Sequence, residues 1–150
     1  MANEIQVKGE TEERQIVPYC HRAKYHETDG QRIVHHSNYL KWMEDARMDL
    51  MEQLGLGYKQ MEEMEVIMKE LSVSVEYRNE VVFNQKVMIE TKLLSYDGKQ
   101  MEIAYHLYDK ETGDDIAVAK TKHCFQYKSG LPISMKRIYP ELDTKFFQFK

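Results

Sequence analysis

YHETDGQRIVHHSNYLKWMEDAR, Tyr25 to Arg47, places a carboxylate, Asp29, seven positions before a histidine, His36, that opens a strongly amphipathic helix. Ser37 or Asn38 can cap this helix. Its apolar positions Tyr39, Met43, Ala46, Leu50 and Leu54 recur at spacings of three and four, and Trp42 and Met51 widen the same face. Lys41, Asp45, Asp49 and Glu52 fall on the other side. Gly55 and Gly57 end the helix, and Tyr58 to Glu65 reads as a further short helical turn.

Upstream, the β-branched and aromatic residues of Arg14 to Tyr25 surround Pro18, which suits a strand at a sheet edge, where a missing N–H is tolerated. Downstream the period changes to two. Leu71, Val73, Val75 and Tyr77 alternate with Ser72, Ser74, Glu76 and Arg78, the pattern of a strand with one buried face. Val87 to Leu94 and Met101 to Tyr108 flank Ser95-Tyr96-Asp97-Gly98-Lys99, and Asp-Gly between two β-rich runs predicts a hairpin. Glu111-Thr112-Gly113-Asp114 then turns the chain into a last strand, Ile116 to Tyr127. The tail holds Pro132 and Pro140 and ends in Phe146, Phe147 and Phe149, which are expected to pack. One strand, a long helix and four antiparallel strands make an α+β arrangement, with an antiparallel sheet of about five strands curled round one central helix.

The 150 residues suffice for one domain with a real core, spanning 1–150 with a loose polar leader over 1–13 and a tail over 130–150. A net charge of −4 excludes a general basic surface for nucleic acid. The N-terminus has no basic start followed by an apolar run, and no stretch of apolar residues reaches membrane-spanning length. A cytoplasmic protein without a membrane partner is expected. Cys20 and Cys124 form no Cys-x-x-Cys and are expected to be buried, unpaired thiols. His21, His26, His106 and His123 show no metal-ligand spacing, so no metal and no cofactor is expected. Gly-x-Ser-x-Gly, P-loop and dinucleotide fingerprints are missing from the sequence.

The form of Tyr25 to Arg47 is an Asp in a turn, two β-branched residues, a His, and Asn-Tyr-Leu entering a helix that carries Glu-x-Ala-Arg. It resembles the active-site segment of the 4-hydroxybenzoyl-CoA thioesterase-like hotdog family. The resemblance implies a single hotdog domain that hydrolyses an acyl-CoA thioester. In that family the Asp matching Asp29 is general base or nucleophile, and the backbone N–H at the position of His36 polarises the thioester carbonyl. It also implies a homodimer or homotetramer with sites at the subunit interface. Arg32, Asn38 and Tyr39 are the accompanying candidates for substrate contact, with Asn38 also organising the turn and Tyr39 also packing. Arg32 stands where the family usually has Gly, three residues after the Asp, and Gly30 could move the permissive position. Glu27 stands where a second Asp is common, and Asn79 where a Pro often follows the strand's Tyr.

The chemistry agrees with the residues. A helix start has N–H groups without intrahelical partners and the positive end of the helix dipole, so it can face a developing oxyanion while a carboxylate activates water. His35 should point elsewhere on the helix, toward solvent. Glu44 and Arg47 form an i,i+3 pair at a surface or interface. Lys120, Lys122, Lys128, Lys136 and Arg137 are candidates for coenzyme phosphates or a solvated sheet face. The methionines near the helices, Met43, Met48, Met51, Met61, Met64 and Met68, read as adaptable core filler or as the wall of a flexible acyl pocket. Three rivals share the site: an acyl carrier protein (ACP) thioesterase, a hydratase of 3-hydroxyacyl thioesters, and a non-catalytic acyl-CoA-binding protein.

Overall fold

Pro18 precedes a four-residue strand, β1 (Tyr19–Arg22), at one edge of a five-stranded antiparallel sheet. The computed structural model describes residues 16–141 and Thr144, so the leader and the three tail phenylalanines lie outside the described residues. The other strands are β2 (Val66–Tyr77), β3 (Lys86–Tyr96), β4 (Gln100–Asp109) and β5 (Asp115–Tyr127), in the spatial order β1-β3-β4-β5-β2. Helix α1 (Ser37–Gln53) packs on the inner face, followed by α2 (Tyr58–Glu63), and a one-turn helix, α3 (Met135–Ile138), follows β5. The expected α+β arrangement, one long helix held by a curled antiparallel sheet, is the one observed. Among the described residues no helix is long and apolar enough to cross a membrane.

Every apolar α1 position named from the sequence is buried, including Trp42 and Met51. These side chains meet an inner row of the sheet that includes Ile89, Ile103, Leu107 and Phe125. Each such side chain contributes about 1.5–3 kcal/mol relative to exposure, so the helical stripe is the main cohesive element. One polar string, the Tyr105 hydroxyl to Thr121 Oγ1 (2.7 Å) and on to His123 Nε2 (2.7 Å), crosses the same interior. Burial pulls the His123 imidazole down to about 4, with the Arg47 charge adding to the effect, and the ring stays neutral.

Two expectations need correction. Strand β2 starts at Val66 rather than Leu71, and the alternating apolar face is not buried: Val73 is 42 % and Tyr77 48 % exposed. The side chains do point inward, because Val73, Val75 and Tyr77 pair with the inner-face residues Thr121, Ala119 and Ala117 of β5. However, α1 makes its sheet contacts mainly on β3 and β1, leaving the far edge of the inner face uncovered. A bulge adds to the effect. Glu70 pairs with His123 and Ser72 with Lys122, so Leu71 has no residue opposite it. The cysteines are free, but Cys20 is exposed and Cys124 only partly buried, since the inward positions of β1 fall to Tyr19 and His21.

The Asp97-Gly98 hairpin forms as predicted. Asp97 Oδ1 accepts the N–H groups of Gln100 (2.7 Å) and Lys99 (2.9 Å), and these bonds hold its carboxyl below the usual range. Gly98 has φ +91°, and its carbonyl accepts the N–H of the fully buried Met135 (2.7 Å), which clamps the C-terminal segment onto the hairpin. A Cβ at Gly98 would come within 2.8 Å of Lys136 Cβ, whereas Gly113, at φ +80°, has open space around it. Gly113→Ala should therefore cost only the left-handed penalty of about 1–2 kcal/mol. Gly98→Ala should cost at least about 1 kcal/mol more from overpacking. Urea midpoints of the two variants check this; equal losses would mean that the clamp contributes nothing.

Candidate active site

A 3-10 turn at Tyr25–Glu27 delivers a carboxylate into the interior, and Glu27 is only 7 % exposed. Its Oε1 accepts from His21 Nε2 (3.0 Å) on β1 and from the Lys24 N–H (2.7 Å), and its Oε2 accepts from the indole N–H of Trp42 (2.8 Å) on α1. Burial alone would raise its pKa, but the bonds from His21 and Trp42 together with the Lys24 N–H hold the carboxyl below its usual value. The Glu27 carbonyl in turn accepts from the His35 N–H (2.9 Å) and from Asn38 Nδ2 (3.1 Å). One residue thus joins the first strand, the turn and the start of the helix.

The segment between Glu27 and α1 folds back on itself. Asp29 N–H donates to the Ile33 carbonyl (2.9 Å), and Arg32 N–H to the Asp29 carbonyl (3.0 Å), closing a four-residue turn. Asp29 Oδ1 stiffens the turn by accepting from the Gln31 N–H (2.7 Å). Its Oδ2 makes no hydrogen bond among the described residues. Arg32 occupies the left-handed region at φ +66°, the conformation in which a turn of this kind favours Gly. The permissive position is therefore Arg32, not Gly30.

At the helix start the backbone donors are nearly all used. Val34 N–H goes to the Val81 carbonyl (2.8 Å), His35 to Glu27, Ser37 to His35 Nδ1 (3.2 Å), Asn38 to the His35 carbonyl (3.0 Å) and Tyr39 to the His36 carbonyl (3.1 Å). Between Val34 and Tyr39, the N–H of His36 is the one without a partner among the described residues. His36 rather than Ser37 or Asn38 is the N-cap, and it has helical backbone angles and no side-chain cap. The His35 ring takes over the capping role; it is exposed, as expected, but it does not point away from His36: its Nδ1 also accepts from Ser37 Oγ (2.8 Å), and it stacks on His36 with centroids 4.4 Å apart.

Asp29, His35, His36 and Tyr39 line one cavity of about 530 Å³, bounded on its other side by Tyr77 at the end of β2 and by Arg78 just after it. Tyr77 meets His36 edge-on at 5.7 Å and Tyr39 at 5.3 Å. Burial pushes the Tyr39 phenol up to about 12, with Tyr77 and Glu80 adding to the shift, so it stays protonated. Of the residues named from sequence, Asp29, His36 and Tyr39 share this cavity. Arg32 is exposed outside its walls, and the Asn38 amide is spent on the Glu27 and His35 carbonyls. None of Lys120, Lys122, Lys128, Lys136 or Arg137 lines it, and Lys128 is paired with Glu62. Sequence reasoning missed Tyr77 as a wall, although it closes the alternating run of β2, and missed Glu27, for which no spacing rule predicts burial.

A family model described as the thioesterase-like superfamily matches residues 24–145. A Bacillus subtilis protein named "Putative acyl-CoA thioesterase YneP" is 28 % identical over 128 residues, covering 85 % of this chain and 93 % of that protein. A "Putative esterase" of Aquifex aeolicus is 31 % identical over 121 residues, 79 % and 91 % of the two chains. The crystal structure of DHNA-CoA thioesterase from Staphylococcus aureus superposes with a TM-score of 0.82 at 25 % identity, over 87 % of this chain and 88 % of that one.

The Glu27 anchor has a measurable acid signature. A carboxyl whose folded pKa lies below its unfolded value stabilises fully above the unfolded value, near 4.5, and loses that contribution as pH falls through the folded value. Glu27→Gln leaves a buried donor facing the Trp42 N–H and should cost about 2–3 kcal/mol at neutral pH. The gap to the parent should close below pH 4.5. Unfolding followed by fluorescence of Trp42, the single tryptophan, reads this directly; a pH-independent gap would remove the carboxylate from the account.

Proposed function

Because this chain belongs to the thioesterase-like superfamily and is a thioester hydrolase, we propose that it cleaves acyl-CoA to free acid and CoA, with Asp29 as base or nucleophile and the His36 N–H as oxyanion donor. One observation carries the reading. The uncommitted oxygen of Asp29 and the unpaired N–H of His36 belong to residues that line the same cavity. In the base form, Asp29 takes a proton from water as the water oxygen adds to the acyl carbon, and the carbonyl oxygen becomes an alkoxide facing the His36 N–H. Collapse breaks the C–S bond, and the thiolate recovers the proton from Asp29. A positioned donor of this kind is worth about 3 kcal/mol in the transition state. In the nucleophile form the Asp29 carboxylate itself adds, collapse of the alkoxide breaks the C–S bond and expels the thiolate to leave an acyl–aspartyl anhydride, and water then cleaves that anhydride, releasing the acid, restoring the Asp29 carboxylate and supplying the proton that the thiolate takes up. Relatives and structures named for CoA thioesters favour CoA over a carrier protein as the leaving group.

Asp29→Asn should lower kcat by about 10²–10⁴ with the thermal midpoint unchanged, because the exposed side chain sits in no core contact. Thiol release from a panel of saturated acyl-CoA esters measures it. Turnover equal to the parent would end the assignment, and hydration of crotonyl-CoA without thiol release would replace it with the hydratase. A single turnover in heavy-oxygen water separates the two forms, since only the nucleophile form delivers label into the Asp29 carboxyl.

We further propose that the chain works as a homodimer joined through β2. At twelve residues β2 is the long edge of the sheet, whereas the four-residue β1 is blunted by Pro18. An exposed strand of this length invites pairing. Val73 and Tyr77 lie uncovered on its inner face, and Leu40 and Met48 lie exposed on α1. Two copies related by a two-fold axis would pair β2 antiparallel and cover all four side chains. Light scattering should give twice the 17.9 kDa chain mass for the parent, and Val73→Lys should return it to the monomer. A monomeric parent would refute the dimer.

A further inference from the structure

The segment between β2 and β3 carries apolar side chains that a solvent-facing loop does not need. Val82 and Phe83 are each 52 % exposed there, and Tyr25, on the 3-10 turn after β1, is 74 % exposed. The Tyr25 and Phe83 rings stand at 88° with centroids 5.8 Å apart, so they form a right-angled corner open to water. Backbone bonds hold its two sides together: Ala23 N–H donates to the Gln85 carbonyl (2.9 Å), and Asn84 N–H to the Ala23 carbonyl (2.8 Å). Val82 forms an isolated bridge with Ile33, and Ile33 and Glu80 line the Asp29 cavity, so the corner begins one residue beyond the cavity wall. A fixed aromatic pair beside a cavity marks a binding surface in a way that scattered surface apolar residues do not.

Positive charge accompanies the rings. Lys24 precedes Tyr25, Arg22 lies directly opposite Lys86 in the β1–β3 register, and Arg32 is exposed next to Ile33. Like charges at one cross-strand position repel, and an anion bound beside them removes that cost. None of these four cations forms an ion pair among the described residues. Asp109, which pairs with Val87 beside Lys86, spends its carboxylate on Gln85 Nε2 (2.7 Å) and on the N–H groups of Glu111 and Thr112 (2.8 Å each). An aromatic corner suits a flat base, and free cations beside it suit phosphate. We infer that the Tyr25–Phe83 corner stacks the adenine of coenzyme A, with Arg22, Lys24, Arg32 and Lys86 around its phosphates, while the thioester end of the same molecule lies at Asp29. This rests on the thioesterase reading above. It also gives that reading a basis for discrimination, since the pantetheine arm of a carrier protein brings no adenine to the corner.

Calorimetry on the full chain with coenzyme A, dephospho-coenzyme A and pantetheine as titrants tests the inference without any hydrolysis. The parent should bind coenzyme A more tightly than pantetheine, with dephospho-coenzyme A between them. Tyr25→Ala and Phe83→Ala truncate exposed rings, so both variants should fold. Each should weaken coenzyme A by at least about fivefold, the low end for loss of a base–aromatic stack, and narrow the preference over pantetheine by the same factor. Arg22→Gln and Arg32→Gln should weaken coenzyme A and flatten the salt dependence of its binding. A parent that binds coenzyme A and pantetheine equally would overturn the nucleotide site, as would ring truncations that leave coenzyme A unchanged or weaken both ligands alike. A truncation that keeps coenzyme A affinity but halves the mass seen by light scattering would overturn it too, because the corner would then cover a second copy of the chain. Loss of coenzyme A affinity on truncation, with no hydrolysis of any thioester by the parent, would overturn the catalytic reading alone. Hydrolysis by a chain whose coenzyme A binding is indifferent to the corner would overturn the nucleotide site alone.

Discussion

The buried carboxylate of Glu27 is the constraint from which the candidate site takes its shape. Ionised and almost out of water, it is stable there because it has three donors, and these come from β1, the turn and α1. Removing any one of them leaves charge without compensation in the interior. The same residue's carbonyl fixes His35 and Asn38, so the distance from the first strand to the start of the helix is set by one side chain and one backbone oxygen. Asp29, two residues later, inherits a rigid base.

The second constraint is the way backbone donors are spent at the helix entry. A helix normally leaves its first N–H groups to water or to a cap. Here Glu27, the His35 ring and the preceding carbonyls take the neighbouring donors, and the His36 N–H is left open beside a cavity. Selective satisfaction of this kind makes one N–H into a defined binding element, where an uncapped helix end would offer several competing ones. Arg32 contributes in a less comfortable way, since a left-handed arginine costs about 1–2 kcal/mol relative to glycine in the turn that aims Asp29.

Much of this was legible in the residues. The helical stripe from Tyr39 to Leu54 could be read because a 3.6-residue period and burial on one face are the same fact. The Asp97-Gly98 hairpin could be read because its backbone demands a glycine. The resemblance of Tyr25 to Arg47 picked out Asp29, His36 and Tyr39, which do line one cavity. Glu27 was illegible because its partners are brought together only by folding, and a glutamate two residues from Asp29 looks like surface. His35 is solvent-facing as read, but its part in capping was illegible because its ring turns back to the Ser37 backbone and stacks on His36. The alternation in β2 correctly gave two faces, but nothing in a period of two says that the helix covering the inner face stands nearer the opposite edge.

The unpaired Leu71 in β2 has a consequence for how this chain can vary. Before the bulge the inward positions are Val66, Met68 and Glu70; after it they are Val73, Val75 and Tyr77, so the parity of the strand changes at that point. One half of the strand, with Val66 and Met68, walls a second cavity shared with Met48, Met51 and Met61, and the other half reaches the Asp29 cavity, and each keeps these apolar side chains inward only because one supernumerary residue separates them. Side chains on either half can be exchanged independently in the course of descent. Insertions or deletions cannot: losing a single codon there would rotate one half of the strand outward, so the count of residues between Val66 and Tyr77 is held more tightly than their identity.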